Sequence, residues 1–275
     1  MRIPDQSDHV ARAAALIAEA DAILVTAGAG IGIDSGLPDF RGPGGFWKSY
    51  PALGRRGLEF TDIASPAAFD ALPRVAWGFY GHRLALYRAT VPHEGFHILQ
   101  AWGKRARRGL RVFTSNVDGQ FQKSGIPEDH VAECHGSIHH LQCLENCGRP
   151  PWPATDLVPD IDEAACEWRG DLPTCPDCGG LARPNILMFS DYGWTGRRYE
   201  AAELRLVDWE VNARKLVVIE IGAGTAIPSA RRFGESTGQP VIRINPREGA
   251  VTRPRDVPLP LGALEALRKI AMNQH

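Results

Sequence analysis

The chain of 275 residues lacks a surplus of charge of either sign: 31 Lys and Arg face 32 Asp and Glu, a formal net charge of -1. With no net field, nucleic acid or an anionic membrane is attracted only through specific contacts, and neither is expected as a partner. An apolar run of bilayer-spanning length is also missing. The opening stretch, MRIPDQSDHVARAAALIAEA, alternates charged with apolar residues instead of forming the apolar block of a secretory leader. These absences lead to the expectation of a cytoplasmic protein, monomeric or weakly oligomeric. There is no internal repeat and no low-complexity tail. Cysteine is missing from most of the chain, since all six, at 134, 143, 147, 166, 175 and 178, fall in one short region. With no secretory signal ahead of them, metal binding is favoured over a disulfide framework.

What is present is an alternation of short apolar runs with helical patterns. Residues 22–27, 110–114, 216–221 and 241–244 are rich in Val, Ile and Leu and end in polar or glycine-rich turns, which predicts buried parallel strands. Helical spacing is found at residues 8–20, with Ser7 or Asp8 as cap, and at 67–87, 95–107, 199–213 and 261–272. Strands alternating with helices imply an α/β fold, a Rossmann-like doubly wound parallel sheet. Two stretches break the rhythm and predict a smaller lobe. One is a helical insertion, 42–91; the other is a zinc-binding insertion, 141–183, rich in Cys, Pro and Trp. The Rossmann-like lobe is expected to comprise 1–41, 92–140 and 184–275.

The first strand runs into GAGIGIDSGLPDFRG, residues 28–42. Gly28, Gly30 and Gly32 permit a tight turn and close approach of backbone N–H groups to a phosphate; read alone, they serve equally as a ligand-free strand-to-helix turn. The hydride-transfer fingerprint, G-x-G-x-x-G followed by an acidic residue at the next strand end, is not matched. Residues 28–41 resemble the G-A-G-x-S-x-x-S-G-I-P-D-F-R signature of the sirtuins, NAD-dependent protein deacylases. Further matches follow in order. Residues 114–118, TSNVD, resemble T-Q-N-I-D; Cys134-His135-Gly136-Ser137 resembles L-H-G-S; residues 183–189, RPNILMF, resemble R-P-x-V-V-x-F. Ile221-Gly222-Ala223-Gly224 stands where the family has I-G-T-S, and Ile244-Asn245 matches its I-N strand end. Departures are Gly32 for serine, Ser115 for glutamine, Gly224 for serine, and Ser190-Asp191 for Gly-Glu.

The resemblance implies NAD as co-substrate and acylated-lysine proteins or peptides as partners. Gly28, Ala29 and Gly30 are expected to offer backbone donors to the diphosphate, with Arg41 supplying a cation or shaping the loop. Asp39, Ser115, Asn116 and Asp118 are assigned to NAD and its nicotinamide, Phe40 to the ribose face, and Gly222, Gly224 and Asn245 to the cofactor-binding strand ends. Imidazole, with an ordinary pKa of about 6.5, suits proton abstraction from a ribose hydroxyl at neutral pH. A lone histidine is more often structural; it is the match to the family's H-G-S element that implies His135, with Asn116, as the catalytic candidate. Deacylation would release nicotinamide, lysine and O-acyl-ADP-ribose. His139, His140 and Cys134 read as locally bonded or buried residues. Two alternatives stay open: an ADP-ribosyltransferase or NAD hydrolase on the same fold, and a non-catalytic NAD-sensing module.

Cys143 and Cys147 form C-x3-C, and Cys175 and Cys178 form C-x2-C. Four thiolates in two close pairs suit a closed tetrahedral, hence structural, Zn2+, with free buried thiols as the other reading and Cys166 as a spare ligand. Tyr80 and Arg83, three apart on a helix, share a face. Y-x-x-R resembles the pair that binds the acyl carboxylate in sirtuins acting on succinyl- and malonyl-lysine, and residues 43–47, PGGFW, resemble the accompanying G-G-x-W. The other reading is a surface arginine beside a packed tyrosine. Ile186, Leu187 and Phe189 are expected to pair with substrate backbone and line the acyl-lysine channel.

Overall fold

The computed structural model describes residues 5–38 and 49–274; Asp39, Phe40, Arg41 and the 43–47 segment lie outside the described residues. The strands in chain order are β1 (Ala22–Ala27), β2 (Leu110–Thr114), β3 (Val131–Glu133), β4 (Gly136–Cys143), β5 (Trp152–Pro153), β6 (Ile161–Asp162), β7 (Glu167–Trp168), β8 (Ala182–Ile186), β9 (Leu216–Ile221), β10 (Val241–Ile244) and β11 (Val257–Leu259). Six of them form one sheet in the order β11-β10-β9-β1-β2-β3, every neighbouring pair parallel. The four long apolar runs become its central strands, because a parallel sheet covered on both faces needs strands that are apolar throughout.

Side chains alternate between the two faces of each strand. On one face, Ile23, Val25, Val217 and Ile219 pack against Val10, Ile17, Phe96, Leu99, Leu267 and Ile270 from the helices Gln6–Glu19, Glu94–Arg105 and Ala263–Met272. On the other, Ala22, Leu24, Leu216 and Val218 meet Ala202, Leu206, Trp209 and Ala230 from the helices Arg197–Val211 and Ser229–Ser236. The sheet is therefore doubly wound. The first helix starts earlier than expected. Its cap is Asp5, whose carboxylate accepts the N–H groups of Ser7 (2.9 Å) and Asp8 (3.0 Å) while Asp8 accepts the Asp5 N–H (3.2 Å), a reciprocal box that satisfies orphan donors.

The smaller lobe has its own core of Leu53, Phe69, Trp77, Phe79, Tyr80, Ile138, Trp168 and Ile186. Among the described residues its sheets are three-stranded, β5-β4-β8, and two-stranded, β6-β7. The single helix expected over 67–87 is two, Pro66–Ala71 and Pro73–Ala89. Pro73 cannot continue the helix before it, but its fixed φ starts the next. The expected lobe limits at 140/141 and 183/184 fall inside β4 and β8.

Candidate active site

Strand register determines which loops meet. Ala27 stands beside Thr114 and Ile221, Ile221 beside Ile244, and Thr114 beside Glu133. Five strands thus finish in one row, and residues 28, 115, 134, 222 and 245 leave it together at the carboxyl ends, where open α/β sheets bind ligands. A cavity of about 840 Å³ opens there, and Ala29, Gly30, Ser115, Asn116, His135, Gly222, Gly224 and Asn245 lie in its wall. Tyr80, Arg83, Ile186, Leu187 and Phe189 from the smaller lobe complete it. Gly28 and Asp118 stand outside this lining.

The glycines do different work from that expected. Gly28 N–H donates to the Ile221 carbonyl (3.0 Å) and Gly30 N–H to the Gly222 carbonyl (3.1 Å), so neither donor points to a phosphate. A Cβ on Gly30 would come within 2.6 Å of Gly222 Cα, and one on Gly222, whose φ is +60°, within 2.4 Å of Gly30 Cα. These glycines let two strand-end loops touch backbone to backbone. Asn116 reinforces the contact, its side-chain amide donating to the Gly28 carbonyl (3.1 Å) while its N–H goes to Thr114 Oγ1 (3.0 Å). Asn245 is likewise spent on loop shape: its amide donates to the Ala223 carbonyl (2.9 Å), and its oxygen accepts from the Arg247 and Glu248 N–H groups.

His135 lies two residues beyond β3 with Nε2 at 3.2 Å from Ser229 Oγ. Burial holds its imidazole below the ordinary histidine range, and a backbone hydrogen bond with Ser115 works the other way. It is thus mostly neutral at pH 7, the form that can accept a proton. Asp118 instead sits behind the cavity, with Oδ1 accepting the Gln120 N–H (3.0 Å) and burial pushing its carboxyl up to about 6. His139 Nε2 bonds the Asp118 carbonyl (3.0 Å). Cys134 is buried, with its thiol pushed up to about 12 by desolvation, which makes it a poor nucleophile.

At the cavity's other end Arg83 is 9% exposed and Tyr80 1% exposed, which excludes a solvated surface arginine. Arg83 donates through Nε (2.9 Å) and Nη2 (2.5 Å) to Tyr87 Oη, and its guanidinium lies 5.2 Å from the Phe79 ring centroid. The segment after β8 is pinned at both ends: Leu187 N–H donates to the His135 carbonyl and Phe189 N–H to that of Ala64, each at 2.9 Å. Ile186 is buried, whereas Leu187 (38%) and Phe189 (36%) remain exposed at the mouth.

The four cysteines of the C-x3-C and C-x2-C pairs converge, all four sulfurs lying within 4.8 Å of one another. Cys143 and Cys178, and Cys147 and Cys175, stand 3.6 Å apart. Sulfurs each ~2.3 Å from a tetrahedral zinc are about 3.8 Å apart, far beyond a disulfide bond of ~2.05 Å. The donor set therefore fits a closed zinc site, remote from the cavity. Cys166 lies in the core of the smaller lobe instead.

A model of the Sir2 family matches residues 28–208. The chain belongs to the Sir2 family. It is 30% identical over 251 residues to an NAD-dependent protein deacylase of Aquifex aeolicus, covering 90% of this chain and 93% of that one. It is also 30% identical over 256 residues to the NAD-dependent protein deacylase sirtuin-5, mitochondrial, of Canis lupus familiaris, covering 87% and 77%. The solved structure of a Sir2 homolog–NAD complex superposes with a TM-score of 0.71 at 24% identity, covering 96% of this chain and 93% of that one.

Against this Sir2 background the departures acquire physical reasons. A Cβ at Gly32 would lie 2.9 Å from Leu37 Cδ1, so Leu37 fills the space a serine would take. Beside Gly224, Thr225 donates its N–H (2.7 Å) and hydroxyl (3.0 Å) to the Glu248 carboxylate, a loop anchor supplied one residue later. Asp191 forms two parallel bonds to Arg183 (2.8 and 2.9 Å) with both side chains buried. Ser115 Oγ faces the Ala27 carbonyl at 3.4 Å. Sequence reasoning missed Tyr87, although its i, i+4 spacing from Arg83 was a usable signal. It also missed Ser229, which is 94 residues from His135 and carries no sequence signal at all.

Proposed function

We propose that this Sir2-family chain is an NAD-dependent protein-lysine deacylase that releases nicotinamide and O-acyl-ADP-ribose. The carrying observation is that half-buried His135 shares one cavity with the strand-end glycines and with the exposed side chains after β8. As co-substrate, NAD supplies an electrophilic ribose carbon when its nicotinamide departs. The loops carrying Gly30, Gly222 and Gly224 wall the space for the dinucleotide at the carboxyl ends of the strands, and Ser115 and Asn116 border its nicotinamide end. Leu187 and Phe189 admit an acylated lysine, orienting its amide oxygen toward that carbon. His135 takes the proton of a ribose hydroxyl, so that the acyl group passes to the sugar. Tyr80 and Arg83, both in the cavity wall, support a preference for acyl groups ending in a carboxylate, because the guanidinium fork matches a carboxylate with two parallel hydrogen bonds.

A second reading, ADP-ribosyl transfer to protein or water, is favoured by Ser115. Its short side chain gives the nicotinamide end more space than glutamine would. Mass spectrometry of products from NAD with acetyl-, succinyl- and longer acyl peptides, beside His135→Ala, separates the readings. Acyl-ADP-ribose lost in the variant supports deacylation, free or protein-linked ADP-ribose without acyl loss supports transfer, and NAD binding without nicotinamide release refutes both.

A further inference from the structure

The first residue of the helix Ser229–Ser236 is the polar neighbour of His135 Nε2, and the helix is held firmly where it is. Arg231, two residues on, donates through Nη2 to the carbonyls of Ala223 (3.0 Å) and Glu248 (2.9 Å) and lies 3.4 Å from buried Glu220. Gly234 packs on Thr26 and Val218, where a Cβ would come within 3.1 Å of each. The Ser229 hydroxyl is therefore fixed relative to β1, β9 and the loop carrying Gly222 and Gly224. In the tautomer that gives the ring N–H to the Ser115 backbone, Nε2 carries the lone pair, and Ser229 is then its donor.

We infer that Ser229 is a positioning residue for the base: its hydroxyl holds the His135 imidazole in the tautomer whose Nε2 carries the lone pair and opposes premature protonation there. This rests on His135 being the base, as proposed above. A donor to the neutral ring stabilises that form against the imidazolium. The hydroxyl occupies the lone pair until a ribose hydroxyl replaces it, one donor exchanging for another with no net change in hydrogen-bond count. Charged groups that share the cavity wall with His135 are Asp34, Arg83, Arg247 and Glu248, and all four remain in the variants below, so their influence cancels in the comparison.

The test is the pH dependence of His135 itself, followed by proton NMR of the imidazole in the NAD-free protein and assigned among the nine histidines by His135→Asn. In Ser229→Ala the midpoint is expected to rise by roughly half a pH unit, about threefold in proton affinity, and the acid limb of kcat/KM should move with it. Ser229→Thr, which keeps the hydroxyl, should restore both. Superimposable titrations of Ser229→Ala and the parent overturn the inference, even if the variant melts at a lower temperature, because a merely structural role would change stability alone. An equal shift in Ser229→Thr overturns it too. If His135→Asn retains full acyl-ADP-ribose formation, the assignment of the base falls, which is a different failure from an unshifted titration.

Discussion

Asp191→Ala isolates the energetic role of the buried pair that closes the segment after β8. Arg183 is 1% and Asp191 0% exposed in their side chains, and the guanidinium cannot shed its proton. Removing the carboxylate leaves a buried charge uncompensated, which costs about 3–5 kcal/mol. The same carboxylate accepts the N–H groups of Met188 (3.3 Å) and Gly193 (3.1 Å), so the turn that includes Ser190, at φ +53°, loses its anchors as well. For a chain of this size each kcal/mol corresponds to about 2–3 °C in Tm, which gives a fall of roughly 6–15 °C. Thermal unfolding followed by circular dichroism, with urea denaturation as a check on m, measures it. A fall of less than about 2 °C would refute the reasoning. The double variant Arg183→Met/Asp191→Leu should recover the part of the loss that comes from the unpaired charge, but not the part from the Met188 and Gly193 N–H groups left without their acceptor.

Arg83→Met should raise KM for a succinyl-peptide by tenfold or more, with Tyr87→Phe giving a smaller rise, from the loss of a charge-assisted hydrogen bond of about 1.5–3 kcal/mol; equal losses on acetyl- and succinyl-peptides in steady-state assays would remove the carboxylate role. Purified protein should contain one zinc per chain by elemental analysis, and a strong chelator should speed hydrogen exchange in residues 141–183; metal-free protein with unchanged protection refutes the site. Gly30→Ala should destabilise the fold by more than about 1 kcal/mol, because its Cβ meets rigid Gly222 backbone; an unchanged urea midpoint would exclude that clash. Burial pushes the Glu133 carboxyl up to about 7 although Arg198 pulls it down. Its proton is thus held more tightly in the folded state, so its contribution to stability is present at low pH and is lost as pH rises through 7. Glu133→Gln should accordingly raise Tm more at pH 8 than at pH 5, and equal effects at both would contradict the assignment.

The four central strands were legible because burial on both faces demands unbroken apolar runs, and their bounds coincide with those runs. β3 and β11 were not, since three-residue strands carry too little pattern to be told from loop. The break between Ala71 and Pro73 could have been read from the proline. Family motifs led to most of the cavity wall, yet they misdirected the reading of Gly28 and Gly30. A motif records which residues recur, not whether an N–H faces a ligand or a neighbouring carbonyl. A long-range pair such as His135 with Ser229, 94 residues apart, depends on how elements meet in space, which spacing along the chain does not encode.

Cys134 and His135 are the whole of the chain between β3, in the large sheet, and β4, in the small one. The link between the two sheets thus carries the proposed base, His135. A change of angle between the sheets would turn the backbone that carries the imidazole, so it would also re-aim the proposed base. A label at His135 would therefore report lobe movement without a second probe, and a mutation that stiffens this crossing would be read out first as a change in proton transfer.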